Sequence, residues 1–295
     1  MSDPIIISVR RPATNSGGPV VPASEEGGHL AGKSNLLVFL HGYNNSRADA
    51  LASYQQFLGH LRIKFSTLTA QVAEFLWPGD EPNKIVSTLS YPNQIQPAID
   101  SAKALANYFA LLPHSRPMVV NFVGHSLGCR VVVELLSRWA HGGLPPNTSV
   151  GVVVLMAAAV VVRNVDANGA LRSGATLSAK NPVLCSEGDP VLQWAFPMGE
   201  TAAGEAFFPT AVGRAGGPAN TWHVPLPMAH NGVLYVHGSY WPGDESCTAV
   251  AFALGGTPAR STPENAVAAN PAPVENSIEF RSTPVRTLGS RAAFA

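Results

Sequence analysis

The chain has 295 residues, 46% of them apolar and 13% charged, with 19 Lys plus Arg balanced by 19 Asp plus Glu. This is the apolar content of an ordinary globular protein, without the basic excess of a nucleic-acid binder. No apolar run reaches the roughly 18 residues that a membrane-spanning helix requires, and the zero net charge leaves a homo-oligomer open.

Residues 1–35 hold one β-like run, Ile5 to Val9, followed by a Pro/Gly/Ser-rich loop. The start, Met1-Ser2-Asp3-Pro4-Ile5-Ile6-Ile7, lacks the basic region and cleavage site of a secretory signal, and Cys129, Cys185 and Cys247, read as reduced and packed, fit a cytoplasmic protein. Gly27 to Ser34 formally fits the phosphate-loop pattern G-x-x-x-x-G-K-S. A Pro-rich loop precedes it and a strand follows it, so it lacks the strand-then-helix setting such a loop needs.

From Leu36 the pattern becomes regular. Leu36 to Leu40 reads as a strand buried on both faces. Ser46 and Asp49 form a capping box, and Leu51, Tyr54, Leu58 and Leu61 recur at helical spacing. Val72 to Trp77 is the next strand, stopped by Pro78-Gly79. Pro97 suits the first turn of a helix that carries Ile99, Ala102, Ala106 and Phe109 on one face and ends before Pro113. Met118 to Val123 is a strand, and Leu127 to Ala140 a helix with Gly142 as its terminator. Ser149 to Leu155, Val183 to Cys185 and Asn220 to Val224 are further strands. Strands alternating with helices imply an α/β fold, with a mostly parallel sheet covered on both faces. The expected core is 36–254. The Pro/Ala-rich stretch 255–295 reads as a disordered or loosely docked tail.

Gly124-His125-Ser126-Leu127-Gly128 matches G-x-S-x-G, with a strand running into it and a helix leaving it. That is the setting of a nucleophile elbow, in which a strained turn projects the serine above the sheet. The bland alternative is a serine that only caps the helix. The oxyanion hole would use the N–H of Leu127 and a second donor in His41-Gly42-Tyr43-Asn44-Asn45. Tyr43 is the expected donor, through its backbone or its hydroxyl.

In this architecture the acid and then the base follow the serine. Asp189, between Gly188 and Pro190 after the Val183 strand, is favoured as the acid over Glu187 and Asp166. Among His223, His230 and His237, the last is favoured as the base, because it lies between the last strand and the final helical stretch. His223 falls inside the expected strand Asn220 to Val224, and His230 lies in a Pro/Asn/Gly region.

Phe39-Leu40-His41-Gly42-Tyr43-Asn44-Asn45-Ser46, Trp77-Pro78-Gly79, Tyr91-Pro92 and Gly124-His125-Ser126-Leu127-Gly128 together resemble a family of mostly bacterial α/β-hydrolases, many without an assigned substrate. The resemblance covers residues 36 to 155 clearly. It implies the α/β-hydrolase fold, an acid in the segment holding Asp189, and a base in the stretch His237-Gly238-Ser239-Tyr240. The chain departs from the family after Met156-Ala157-Ala158, where it continues apolar through Val162 instead of entering an acidic loop.

The resulting expectation is a serine hydrolase cleaving a carboxylic ester through an acyl-enzyme, with no cofactor and no metal. Acyl transfer by the same residues, or a non-catalytic binding protein on the same fold, are the alternatives. Cys129, Cys185 and Cys247 have neither disulfide-framework nor zinc spacing, and no H-E-x-x-H occurs. Phe196, Phe207 and Phe208 favour an apolar acyl group unless they are core, and 163–181 and 195–219 are candidates for a partial cover.

Overall fold

A computed structural model describes residues 3–11, 18–65, 69–79, 91–113, 115–178 and 180–256. Of the expected tail, 255–295, all but Gly255 and Gly256 lie outside them, as does the side chain of Tyr91.

Eight strands form one sheet in the order β2-β1-β4-β3-β5-β6-β7-β8. They are β1 (Ile5–Ser8), β2 (Ser24–Glu26), β3 (Asn35–Leu40), β4 (Gln71–Leu76), β5 (Met118–His125), β6 (Thr148–Met156), β7 (Val183–Cys185) and β8 (Pro225–Pro227). Only β2 runs antiparallel to its neighbour; every other pairing is parallel. The central strands are buried on both faces, which is why Leu36 to Leu40 reads as an unbroken apolar run. A separate pair, β9 (Ala229–His230) and β10 (Val233–Leu234), lies beyond β8.

The main helices are α1 (Arg47–Lys64), α2 (Ile95–Leu111), α3 (Leu127–Gly142) and a last one from Asp244 to Ala253. At the head of α1, the Ser46 hydroxyl accepts from the Asp49 N–H, and the Asp49 carboxylate accepts from the Ser46 N–H. This reciprocal cap supports α1 although the helix is only weakly amphipathic. Tyr54, Phe57, Leu58 and Leu61 bury its inner face. α2 packs against α3 across Phe109 and Trp139, whose rings meet edge-on at 5.4 Å.

Four expectations are corrected. Asn220 to Val224 is not a strand; the strand begins at Pro225. Pairing with β7 runs through the Val224 carbonyl and the Met228 N–H, so the alternate residues Pro225 and Pro227 fall on the open edge, where no donor is needed. The terminator of α3 is Gly143 at φ +86°, one residue past Gly142, which is still helical. The segment 172–175 packs on α3: a Cβ on Gly174 would lie 2.4 Å from the Val133 carbonyl oxygen, so this part of 163–181 covers a helix. The strand β2 stands directly before Gly27, where the sequence reads as loop, but β3 still follows where a phosphate loop requires a helix.

Candidate active site

Ser126 stands between β5 and α3 at φ +54° and ψ −124°, a strained conformation for a residue with a side chain. Backbone contacts hold it there. Its N–H donates to the Met156 carbonyl at 2.9 Å, and its own carbonyl accepts from Cys129 and Ala159. The space for this turn comes from glycines. A Cβ on Gly128 would lie 2.4 Å from the His41 carbonyl oxygen, and one on Gly124 would lie 3.1 Å from the Cys129 backbone. The Ser126 side chain makes no capping bond to α3.

The Ser126 hydroxyl donates instead to His237 Nε2, at 2.8 Å. His237 Nδ1–H donates to Asp189 Oδ2 at 2.7 Å. Asp189 is fully buried, and its other oxygen accepts the Val191 and Leu192 N–H groups at 3.0 and 3.1 Å. Those two donors open a π-helical turn, Val191–Ala195. The buried carboxylate is thus hydrogen-bonded on both oxygens, the condition for keeping a charge inside a fold. Glu187, Asp166, His223 and His230 are all exposed. The His223 backbone N–H donates to the Asn181 side chain at 2.8 Å.

His237 opens a short 3-10 turn, His237–Ser239. Tyr240 and Trp241 follow it into the core, where the Trp241 ring meets Phe39, Tyr54 and Phe57 within 5.2–5.9 Å. This aromatic anchor fixes the loop that carries the base. His125, adjacent to the serine, adds a second tether: its Nε2–H donates to the His237 carbonyl at 2.8 Å. Burial pushes the His125 imidazole down to about 3, and the neighbouring His237 adds to that shift. The ring is therefore neutral and can hold its donor toward that carbonyl. Sequence reasoning treats His125 only as the variable residue of the elbow.

The segment after β3 lies against the serine. A Cβ on Gly42 would fall 2.7 Å from Ser126 Cβ. The Gly42 carbonyl accepts from His41 Nδ1–H at 2.8 Å and from the Asn45 side chain at 3.2 Å. Asn45 also binds the Tyr43 carbonyl. In a trans peptide the Tyr43 N–H points opposite to the Gly42 carbonyl, so pinning that oxygen fixes the direction of the N–H. Leu127 is the first residue of α3, and its N–H has no acceptor within that helix.

The His-Gly and Trp-Pro segments, far apart in sequence, form one unit. The His41 ring stacks on Trp77 at 5.5 Å and accepts its backbone N–H at 3.3 Å, while the Trp77 indole donates to the His41 carbonyl at 2.9 Å. Arg10 Nη1 binds the carbonyls of Asn45 and Trp77. His41 is wholly buried, which pushes it down to about 3; it serves this scaffold as a neutral ring.

The apolar continuation after β6 is not at the mouth of the site. Ala157 to Val161 are buried, and the Ala159 N–H supports the Ser126 carbonyl from beneath. Phe196 is core, whereas Phe207 and Phe208 are exposed. Among the described residues, no group of three or more His, Cys, Asp or Glu side chains has metal-binding geometry, and no helix is long and apolar enough to cross a membrane. Cys129, Cys185 and Cys247 are free and buried.

The chain is similar to a carboxyl esterase 2 from the mycorrhizal fungus Tuber melanosporum, at 13% identity and a TM-score of 0.38, over 76% of this chain and 77% of that one. It is also similar to a Tle1 effector bound to the VgrG spike of the Type 6 secretion system, at 12% identity and a TM-score of 0.29, over 63% of this chain and 52% of that one. No curated protein matches it. A family described as "Alpha/beta hydrolase of unknown function (DUF900)" matches residues 28–200, more than half of the chain, and the protein belongs to that family of alpha/beta hydrolases.

Proposed function

We propose that the protein is a serine hydrolase that cleaves carboxylic esters through an acyl-enzyme, with Ser126 as nucleophile, His237 as base and Asp189 as the orienting acid. The observation that carries this reading is the continuous hydrogen-bonded chain from the Ser126 hydroxyl through both nitrogens of His237 to the buried Asp189. His237 Nε2 takes the serine proton as Oγ attacks the ester carbonyl. Asp189 holds the imidazole with its proton on Nδ1 and stabilises the imidazolium. The N–H groups of Tyr43 and Leu127 receive the oxyanion. The imidazolium then protonates the leaving alcohol, and a water activated by His237 hydrolyses the acyl-enzyme.

Trp194, in the turn after Asp189, and Val236, beside His237, are exposed apolar side chains near the triad along the chain, alongside the polar Glu187 and Gln193. Leu234 is also exposed and packs on Gly188, as a Cβ there would meet it at 2.5 Å. These favour an ester with an apolar acyl chain. The test is the initial rate on p-nitrophenyl esters of increasing chain length, for the native protein and for folded Ser126→Ala, His237→Ala and His230→Ala. Activity is expected to vanish in the first two, to persist in the third, and to rise with chain length. Equal rates in native protein and Ser126→Ala would overturn the proposal.

A further inference from the structure

Apolar side chains face outward beside the Ser126 site. Of the fourteen large apolar side chains exposed among the described residues, eight fall in two short segments, 191–208 and 233–236. Both segments border the triad: Asp189 accepts the N–H groups that open the first, and the second ends next to His237. Leu234 of the second packs on Gly188, at the turn that leads into the first. There the π-helical turn Val191–Ala195 runs on into an α-helix, Phe196–Ala202. Leu192 and Phe196 point into the core. A surface helix should be polar on its opposite face. This one presents Val191, Trp194 and Met198, and Gln193 is the only exposed polar side chain between residues 190 and 204. The chain then folds back on the helix end, where the Phe208 N–H donates to Thr201 Oγ1 at 2.8 Å. Phe208 is held at φ +41°, a left-handed conformation that a bulky residue rarely adopts. Its ring and that of Phe207 are nonetheless exposed, Phe207 by 85%. Strain that displays aromatic rings instead of burying them marks a surface that is covered in use.

Charge decides what covers it. No Lys or Arg occurs in 186–211 or in 225–240, and Glu187 adds an exposed carboxylate. An anionic bilayer attracts proteins through basic clusters, and it meets none on these segments. A protein partner of standard size would take about ten hydrogen bonds, whereas the helix face offers Gln193 alone. A lipid surface without net charge needs neither, and exposed Trp and Phe are the side chains that enter such a surface. We propose that this face docks the protein on a lipid surface without net charge, from which the Ser126 site draws its ester. Use of that surface as substrate rests on the hydrolase reading, whereas the docking stands without it.

The experiment mixes full-length Ser126→Ala with vesicles of dioleoylphosphatidylcholine, so that binding is read without turnover. Of the five tryptophans, Trp77, Trp139, Trp222 and Trp241 are at most 6% exposed and Trp194 is 65% exposed, so a change in emission reports Trp194. A saturable shift of the emission to shorter wavelength is expected, together with sedimentation of the protein with the vesicles. Adding dioleoylphosphatidylglycerol should not strengthen binding. The double variant Phe207→Ser/Phe208→Asn, checked for a native circular-dichroism spectrum, should weaken binding by at least about tenfold. Asn is chosen because it tolerates the left-handed conformation at 208. Absence of shift and sedimentation, binding to anionic vesicles alone, or undiminished binding by the double variant would each overturn the proposal. So would a dimer of the vesicle-free chain that the double variant dissociates, since a second copy would then be the occupant. Hydrolysis of p-nitrophenyl esters by the native chain is read separately, so failure of docking and failure of the hydrolase reading are told apart.

Discussion

Each member of the proposed triad is held by groups that have no direct part in the chemistry. Asp189 is oriented by two backbone N–H donors, so its free oxygen can only face His237. Replacing it by Asn keeps the shape but can present an amide N–H to Nδ1, which turns the imidazole to the tautomer that cannot accept the serine proton. Asp189→Asn is expected to lower kcat by about 10⁴ with little change in KM, read on the best p-nitrophenyl ester. His125 acts one step further out, through the His237 carbonyl. His125→Phe keeps a ring but removes that donor, and kcat should fall about fivefold to tenfold for the loss of one hydrogen bond. His125→Gln, which restores a donor, should recover part of the rate; an unchanged rate in His125→Phe would show that the tether is dispensable.

At the scale of elements, the site depends on how closely α3 approaches the end of β3. The Gly128 Cβ position is 2.4 Å from the His41 oxygen and 2.6 Å from the Leu40 oxygen, both backbone atoms that cannot rotate away. Gly128→Ala must push helix and strand apart, and is expected to cost about 1–3 kcal/mol in urea unfolding and to abolish esterase activity. Gly142 is the contrast: it is helical, with nothing within 4 Å of its Cβ position. Gly142→Ala should be neutral or stabilise by up to about 1 kcal/mol through helix propensity alone. The paired outcomes separate a packing glycine from a merely permissive one. At the far edge of the sheet, Pro225 and Pro227 remove the outward N–H groups of β8, which discourages another strand from adding there.

Across the whole molecule, buried ionisable groups set opposite dependences on pH. His41 and His125 are pushed down to about 3 in the fold, while the unfolded chain takes up their protons near the usual 6.5. The unfolded state therefore binds more protons as pH falls below 6.5, and stability is lost toward pH 3. Glu74 acts the other way: its folded value is raised to about 7 from 4.5, so its contribution is present below 4.5 and lost as pH rises through 7. Thermal melts should show Tm falling from pH 6.5 to pH 4. Glu74→Gln should raise Tm at pH 8 and much less at pH 5; an equal effect at both would mean that Glu74 is ionised throughout. Much of the molecule is legible in the sequence by itself. Buried strands are continuous apolar runs, the Ser46–Asp49 cap is local, and the strand–turn–helix context singles out Ser126, because these signals depend on neighbours in the chain. Asp189 and His237 follow from chain order. That His237, and neither His230 nor His223, meets Ser126 depends on a contact between residues 111 positions apart. The strand β2 is too short and polar to show in sequence and exists through its pairing with β1. Pro225 to Pro227 contradicts local strand preference and is tolerated only because it lies at the sheet edge. The stacking of His41 on Trp77, the tether from His125 and the buried Glu74 likewise have no local signature. Sequence determined the periodicity and the turn chemistry, which are short-range; tertiary structure decided which distant polar groups share a buried space, because only packing sets those distances.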